Sequence, residues 1–437
     1  MFLGEKNRIR KLITREIIDS RGLPTLEVEI YTANNICGKA SVPSGASTGK
    51  HEVLEKRDTD SKRYMGKGVK EVAQKITQEI FPLIKGESVL EQRHLDERIR
   101  KEEGSENLSR WGGNATLAVS LALARAGAQT LNMPLYEYLQ RKYNFSHSMP
   151  RPMMNILNGG RHADNILDIQ EFMILPLSTN VFSEALRMGV EIFHSLKNIL
   201  KRLNYATNVG DEGGFAPNLD SHEKAIEILI KAIEEAHYIP GKDVAMALDI
   251  AASEFYNQET RKYHLKTSKK PLSSDELIEK WTEYVNKYPI LSLEDALAED
   301  DWIGWKNLTN RLNHKVQLVG DDLFVTSEKR FLRGIKEGVA NAILIKPNQV
   351  GNLSETIKVI HVAQKKNYEF IVSHRSGETE DSFIADLAVA AGGGQIKTGA
   401  PCRSDRTAKY NQLLRIESNT TNQNMKTLAF PKPNPNT

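Results

Sequence analysis

The sequence is short of almost everything that marks a specialised environment. Only two of its 437 residues are cysteine, Cys37 and Cys402. They lie far apart, in no C-x-x-C or metal-ligand spacing, which fits a reducing compartment and excludes a disulfide-stapled scaffold. Long hydrophobic runs are missing too: the most apolar helix-like stretch, Leu117 to Leu131, is too short to span a bilayer and contains Arg125. The opening MFLGEKNRIRKLITREI breaks its apolar residues with Glu5 and Lys6 and does not read as a secretory signal. Charge of one sign does not dominate; the net charge is +3, and no Lys/Arg block with interleaved aromatics stands out. Nucleic acid is therefore not an expected partner. A cytoplasmic protein without a membrane span is expected, with an additional surface or secreted pool left open.

What is present is an ordinary globular composition, 40% hydrophobic and 26% charged. Thr25 to Tyr31, TLEVEIY, sets Leu26, Val28 and Ile30 against Glu27 and Glu29, the alternation of a half-buried strand. Helical patterns cover Val69 to Ile84 and Asn114 to about Asn132. The stretch Asn144 to Asn155, with Pro150 and Pro152, is the best candidate boundary. This gives an α+β domain over 1–143, a second domain over 144–417, and a polar tail over 418–437, rich in Asn and Pro, that is an interaction tail or disordered.

Beyond the boundary, six short apolar runs each deliver a titratable residue at their C-terminal ends: Asp249, Glu294, Asp321, Lys346, His374 and Lys397. Helical stretches fill the gaps; one opens with the capping box Ser273-x-x-Glu276, another begins near Ser354 with Ile357, Ile360 and Ala363 on one face. Alternating buried strands and helices predict a parallel α/β barrel, and barrel active sites gather at the C-terminal ends of the strands. One such residue would pass as a rim salt bridge. Three carboxylates, two lysines and a histidine on successive strands form a chemical set.

Asp249, Glu294 and Asp321 offer only hard oxygen ligands, which favours Mg²⁺ or Mn²⁺ over Zn²⁺. The alternative is that Lys346 and Lys397 neutralise them directly. A lysine acts as a general base only when part of it is neutral, and positive charge beside Lys346 would lower its pKa. Arg375 and Ser376 suit a phosphate or a carboxylate. Earlier in the second domain, NGGRHADNILDIQEFMI carries His162, Gln170 and Glu171, and NVGDEGGFAPN carries Glu212. Next to a lysine base, a second carboxyl group is what an elimination needs to assist a departing hydroxyl. The loop SGASTGK fails as a Walker A motif, because Gly45 and Gly49 are one residue too close and His51 follows Lys50. It reads either as a flexible turn or as a lid over substrate.

With these residues assembled, the chain resembles the enolase family from about Ile13 to Glu417. The marks are DSRGLPT, SVPSGASTG, RYMGKGV, NGGRHADN, QEFMI, GDEGGFAPN, LEDALAEDDW, GDDL, KPNQVG, SHRSGETED, IKTGAP and AKYNQLLRIE. The resemblance implies a smaller N-terminal α+β domain on a variant (β/α)8 barrel, a homodimer or ring of dimers, and reversible dehydration of 2-phosphoglycerate to phosphoenolpyruvate. It implies Lys346 as the base at C2 and Glu212 assisting loss of the C3 hydroxyl. Asp249, Glu294 and Asp321 would hold one Mg²⁺, and a second would bridge the phosphate to the Ser47 backbone. Arg375 and Ser376 would bind phosphate and Lys397 the carboxylate side, with His162, Gln170, Glu171 and His374 completing the pocket. Four positions depart from the family pattern: Leu23 for Asn, Ala296 for Pro, Pro347 after the base, and a variant helix start at Gly112 to Ser120. Proline holds the residue before it extended, so Lys346 is expected to keep a strand-end geometry.

Overall fold

Alternation decides the first sheet. In the computed structural model, which describes residues 3–45, 48–420 and 424–426, strand β2 (Pro24–Thr32) buries Leu26, Val28 and Ile30 completely and leaves Glu27, Glu29 and Tyr31 half-buried. It pairs antiparallel with β1 (Ile9–Ile18) and β3 (Cys37–Ser41). The helix Gly113–Thr130 crosses this sheet and is buried along nearly its whole length. Its approach depends on Gly38, where a Cβ would lie 2.2 Å from Ala122 O and Ala126 N. The pattern over 69–84 forms one helical course, but residues Ile76–Ile80 widen into a π turn.

The second part is a closed barrel of eight strands. These are β4 (Arg151–Asn158), β5 (Glu171–Pro176), β6 (Val244–Asp249), β9 (Ile290–Glu294), β10 (Gln317–Gly320), β11 (Ala342–Ile345), β12 (Glu369–Ser373) and β13 (Gly394–Lys397). A two-stranded ribbon, β7 (Tyr256–Asn257) and β8 (Lys262–Tyr263), lies outside it. All six runs singled out in the sequence are barrel strands. The expectation of a parallel sheet needs one correction: β5 runs antiparallel to both β4 and β6. An apolar run such as EFMILP reads the same in either direction, so periodicity does not reveal this. Strand β4 begins at Arg151 and Pro152, inside the proline-marked stretch Asn144 to Asn155.

Inside the barrel, Met153, Met173, Leu175, Ala247, Val319, Ala342, Leu344 and Ile371 form a separate apolar plug. The much larger core lies between the strands and the surrounding helices and continues into the first sheet. The capping box forms as expected, Ser273 and Glu276 each bonding the other's backbone N–H. The two parts are joined by buried polar contacts: Arg125 donates to both oxygens of Asp381 (2.6 and 2.8 Å), and Asp96 accepts from the Ser354 hydroxyl (2.6 Å). Among the described residues, no helix is long and apolar enough to cross a membrane.

Candidate active site

Strand direction places the functional groups. Asp249, Glu294 and Lys397 are the last residues of β6, β9 and β13, and Asp321, Lys346 and His374 each follow the last residue of β10, β11 and β12. Five of these side chains are buried and Lys346 is half-buried, and all but Glu294 line one cavity at the mouth of the barrel. Because β5 runs the other way, its start faces this mouth, and that brings Gln170 and Glu171 to the same place. His162, Glu212, Arg375 and Ser376 complete the wall. The enclosed space is about 20 Å³, room for about one water molecule. Ser47 lies outside the described residues, as does the tail apart from 418–420 and 424–426.

Two lysines organise the acids. Lys397 Nζ lies 2.9 Å from Asp249, 2.9 Å from Glu294 and 3.1 Å from Glu171. Burial works against its charge, but Asp249, Glu171 and Glu294 win and hold its pKa well above the ordinary value. Lys346 forms an ion pair with Asp321. Burial again opposes the ammonium, yet Asp321 outweighs it, and Lys346 stands above its ordinary value. That differs from the expected lowering: Arg375 and Lys397 do push Lys346 down, and the adjacent carboxylate overrides them. Lys346 is extended (φ −123°, ψ 104°), as required before Pro347, and its N–H donates to Thr326 Oγ1 (2.9 Å). Ala296 is buried without loss, its carbonyl accepting from the Trp281 indole (2.9 Å).

The carboxyl groups are driven apart. Burial and the neighbouring Glu212 push Glu171 far up. Burial would also raise Glu212, but His374, His162 and Arg406 hold it far below the usual carboxylate range. In this pair the proton therefore resides on Glu171. Burial and Asp249 raise Glu294, and burial with Asp322 and Asp321 raises Asp295. Burial lowers His162 and takes His374 down to about 3, so both rings are neutral near pH 7 and their charges hold Glu212 down only in acid.

Several side chains that the sequence reading passed over join the site. Asp295 and Asp322 follow immediately after Glu294 and Asp321; Asp295 accepts the N–H groups of Asp321 (3.0 Å) and Asp322 (2.8 Å). Choosing one acid per strand end hid them, although LED and GDD display two each. Gln349 donates to Asp321 (2.8 Å) and accepts from Thr326 (2.6 Å). Glu52 accepts from Arg375 (2.8 Å), and Gly49 packs on Asp322 and Val325, so residues 48–55 lie across the mouth. Asn155 donates to Glu212 (2.9 Å), and Arg406 reaches His374 from below.

The donor set suits a hard divalent cation. The cavity wall carries six acids against Lys346, Lys397 and Arg375, and Arg375 is already engaged by Glu52. Lysine neutralisation, the alternative left open by the sequence, is thus real but incomplete. Two groups, Asp295 with Asp321 and Asp322, and His162 with Glu171 and Glu212, keep their ligand atoms within 4.8 Å of one another. Gln170 Oε1 is buried without a hydrogen bond, which leaves acceptor capacity at the pocket wall.

A barrel whose mouth sets two lysines among surplus buried carboxylates defines a class: TIM-type barrels equipped for acid–base chemistry beside a hard divalent cation. Family models narrow this class. Residues 9–139 match the enolase N-terminal domain, and residues 146–427 match the enolase C-terminal TIM barrel domain. The chain belongs to the enolase family, and so to the Mg²⁺-dependent dehydratases of that superfamily, which act on small acids.

Proposed function

We propose that this chain reversibly dehydrates 2-phosphoglycerate to phosphoenolpyruvate. The observation that carries the reading is that Lys346, Glu212 and Arg375–Ser376 line one buried pocket together with Asp249 and Asp321. The barrel over 144–417 would carry the site, and the domain over 1–143 would cap it. Lys346 takes the C2 proton, and Glu212, paired with protonated Glu171, assists departure of the C3 hydroxyl. Arg375 and Ser376 hold the phosphate, Lys397 lies by the carboxylate, and His162, Gln170 and His374 close the pocket.

Asp249, Glu294 and Asp321, with the Ser47 backbone for a second ion, would hold two Mg²⁺, which when bound would stabilise negative charge developing on the substrate. A carboxylate that is about to become an enediolate is a poor proton donor, so fixed positive charge supplies the largest catalytic contribution. For the chain this has one consequence. Once Asp321 is engaged elsewhere, the main influence raising Lys346 is gone, and Arg375 and Lys397 then favour its neutral form. Admission of a phosphorylated three-carbon acid into so small a space requires the Glu52–Arg375 and Lys346–Asp321 pairs to open. On this reading the reaction is a step of glycolysis and gluconeogenesis, run in the cytoplasm by a homodimer or ring of dimers.

The test is phosphoenolpyruvate formation from 2-phosphoglycerate with Mg²⁺, repeated after chelation. Turnover that chelation abolishes and added Mg²⁺ restores is expected. Folded protein that binds Mg²⁺ yet leaves 2-phosphoglycerate unchanged would point to another acid substrate.

A further inference from the structure

Arg406 is wholly buried, and the steps proposed above do not use it. It sits at the start of the helix Ser404–Asn419, directly below the His374–Ser376 turn. One terminal nitrogen donates to His374 Nδ1 and to the Arg375 carbonyl (2.6 Å). The other donates to the carbonyls of Ser376 (2.5 Å) and Asp211 (3.1 Å), and Nε lies 2.7 Å from the Asp405 carboxylate. The chain makes room for it: at Gly399, φ +79°, a Cβ would lie 2.8 Å from Arg406 Cδ, and the Gly399 carbonyl is pinned by the Tyr410 hydroxyl (2.6 Å). One planar fork thus ties the residues flanking Glu212 and the HRS turn to a single rigid helix.

We infer that Arg406 is a positioning residue that fixes the tautomer of His374, so that the ring presents an N–H, and never a lone pair, to the reacting side of the pocket. A guanidinium only donates and is not deprotonated in proteins. Nδ1 must therefore be the acceptor, and in a neutral ring the hydrogen sits on Nε2. Nε2 faces Glu212 Oε2 across 3.4 Å and closes no hydrogen bond of its own. It is an aimed, unspent donor beside the carboxylate that works on the leaving hydroxyl, suited to an oxygen acceptor of the substrate or to Glu212 as it tightens. His374 N–H also donates to the Lys397 carbonyl (3.0 Å), so the backbone of the ring is fixed as well as its tautomer. The effect on catalysis rests on the assignment of Glu212 above; the tautomer does not.

The tautomer is read by nitrogen-15 NMR of histidine-labelled protein at pH 7, with His374 among the 11 histidines assigned by the resonance lost in His374→Gln. In the wild type, Nδ1 is expected to be unprotonated and Nε2 protonated. Arg406→Gln should give a mixture of tautomers and lower kcat about 10- to 100-fold, the usual cost of losing a group that orients a functional histidine, while KM moves less than about threefold. Arg406→Lys, which retains a donor, should recover the Nε2–H form and part of kcat. A wild-type spectrum with Nδ1 protonated overturns the inference without any variant having to fold. So does an Arg406→Gln enzyme that loses activity while His374 keeps a pure Nε2–H spectrum. A correct wild-type tautomer in protein that never turns over 2-phosphoglycerate would instead defeat the proposed reaction and leave the assignment of His374 intact.

Discussion

At the scale of single residues, the site works by setting identical groups in unlike surroundings. Glu171 and Glu212 differ in protonation because burial and Glu212 itself push Glu171 up, while His374 and Arg406 favour the ionised form of Glu212; His162 stands almost equally close to both. Lys346 and Lys397 differ in company: one pairs with a single carboxylate, the other with three. Lys346→Ala is expected to lower kcat by at least about 10²-fold, the lower end for a lost general base. Calorimetric Mg²⁺ affinity should not weaken, because the change releases Asp321 rather than removing it. Near-normal turnover in this variant would rule Lys346 out as the base. The residues most legible in the sequence were those that close an apolar strand run. Arg406 was not among them, because an arginine in SDRTAKYN reads as part of a solvated helix face, and only the fold turns that face inward.

At the scale of elements, six of the eight barrel strands were legible because each is an apolar run closed by a charge. The other two were not. Strand β4 is masked by Pro150 and Pro152, which signal a break, while Pro152 in fact pairs with Ile396 in the ladder. Strand β5 gave away Gln170 and Glu171 as candidate site residues but neither its extent nor its direction, and direction is what brings Glu171 to the mouth. The segment 48–55 makes a prediction at this scale. A methyl group at Gly49 would lie 2.7 Å from Val325 Cγ1 and 2.9 Å from Asp322 Oδ1. Gly49→Ala should therefore unseat the segment and lower kcat/KM by about tenfold or more, as misplacement of about 1 Å commonly does, while the thermal midpoint stays within about 2 °C. An unchanged kcat/KM would show that this seat is dispensable to turnover.

At the scale of the whole molecule, stability carries a pH signature from outside the site. Burial pushes the Asp386 carboxyl from its usual 3.8 up to about 6, against the opposing pull of Arg125. The native state holds this proton more tightly than the unfolded chain, so the contribution of Asp386 to stability falls as pH rises from about 4 to 6 and is level beyond. The difference amounts to about 3 kcal/mol. Asp386→Asn should match the wild type near pH 4 and exceed it by up to about this much at pH 7 in urea unfolding. A gap that stays constant across that range would show the carboxyl is not the source. The closing seam of the barrel has a consequence of another kind. Strand β13 pairs with β4, Gln395 opposite Arg151, and the helix holding Arg406 comes later still. A chain emerging from the ribosome can complete its first sheet early, but it must carry open strand edges until nearly 400 residues have been made. Through most of its synthesis this protein is an unclosed sheet, in need of shelter from its neighbours on the polysome.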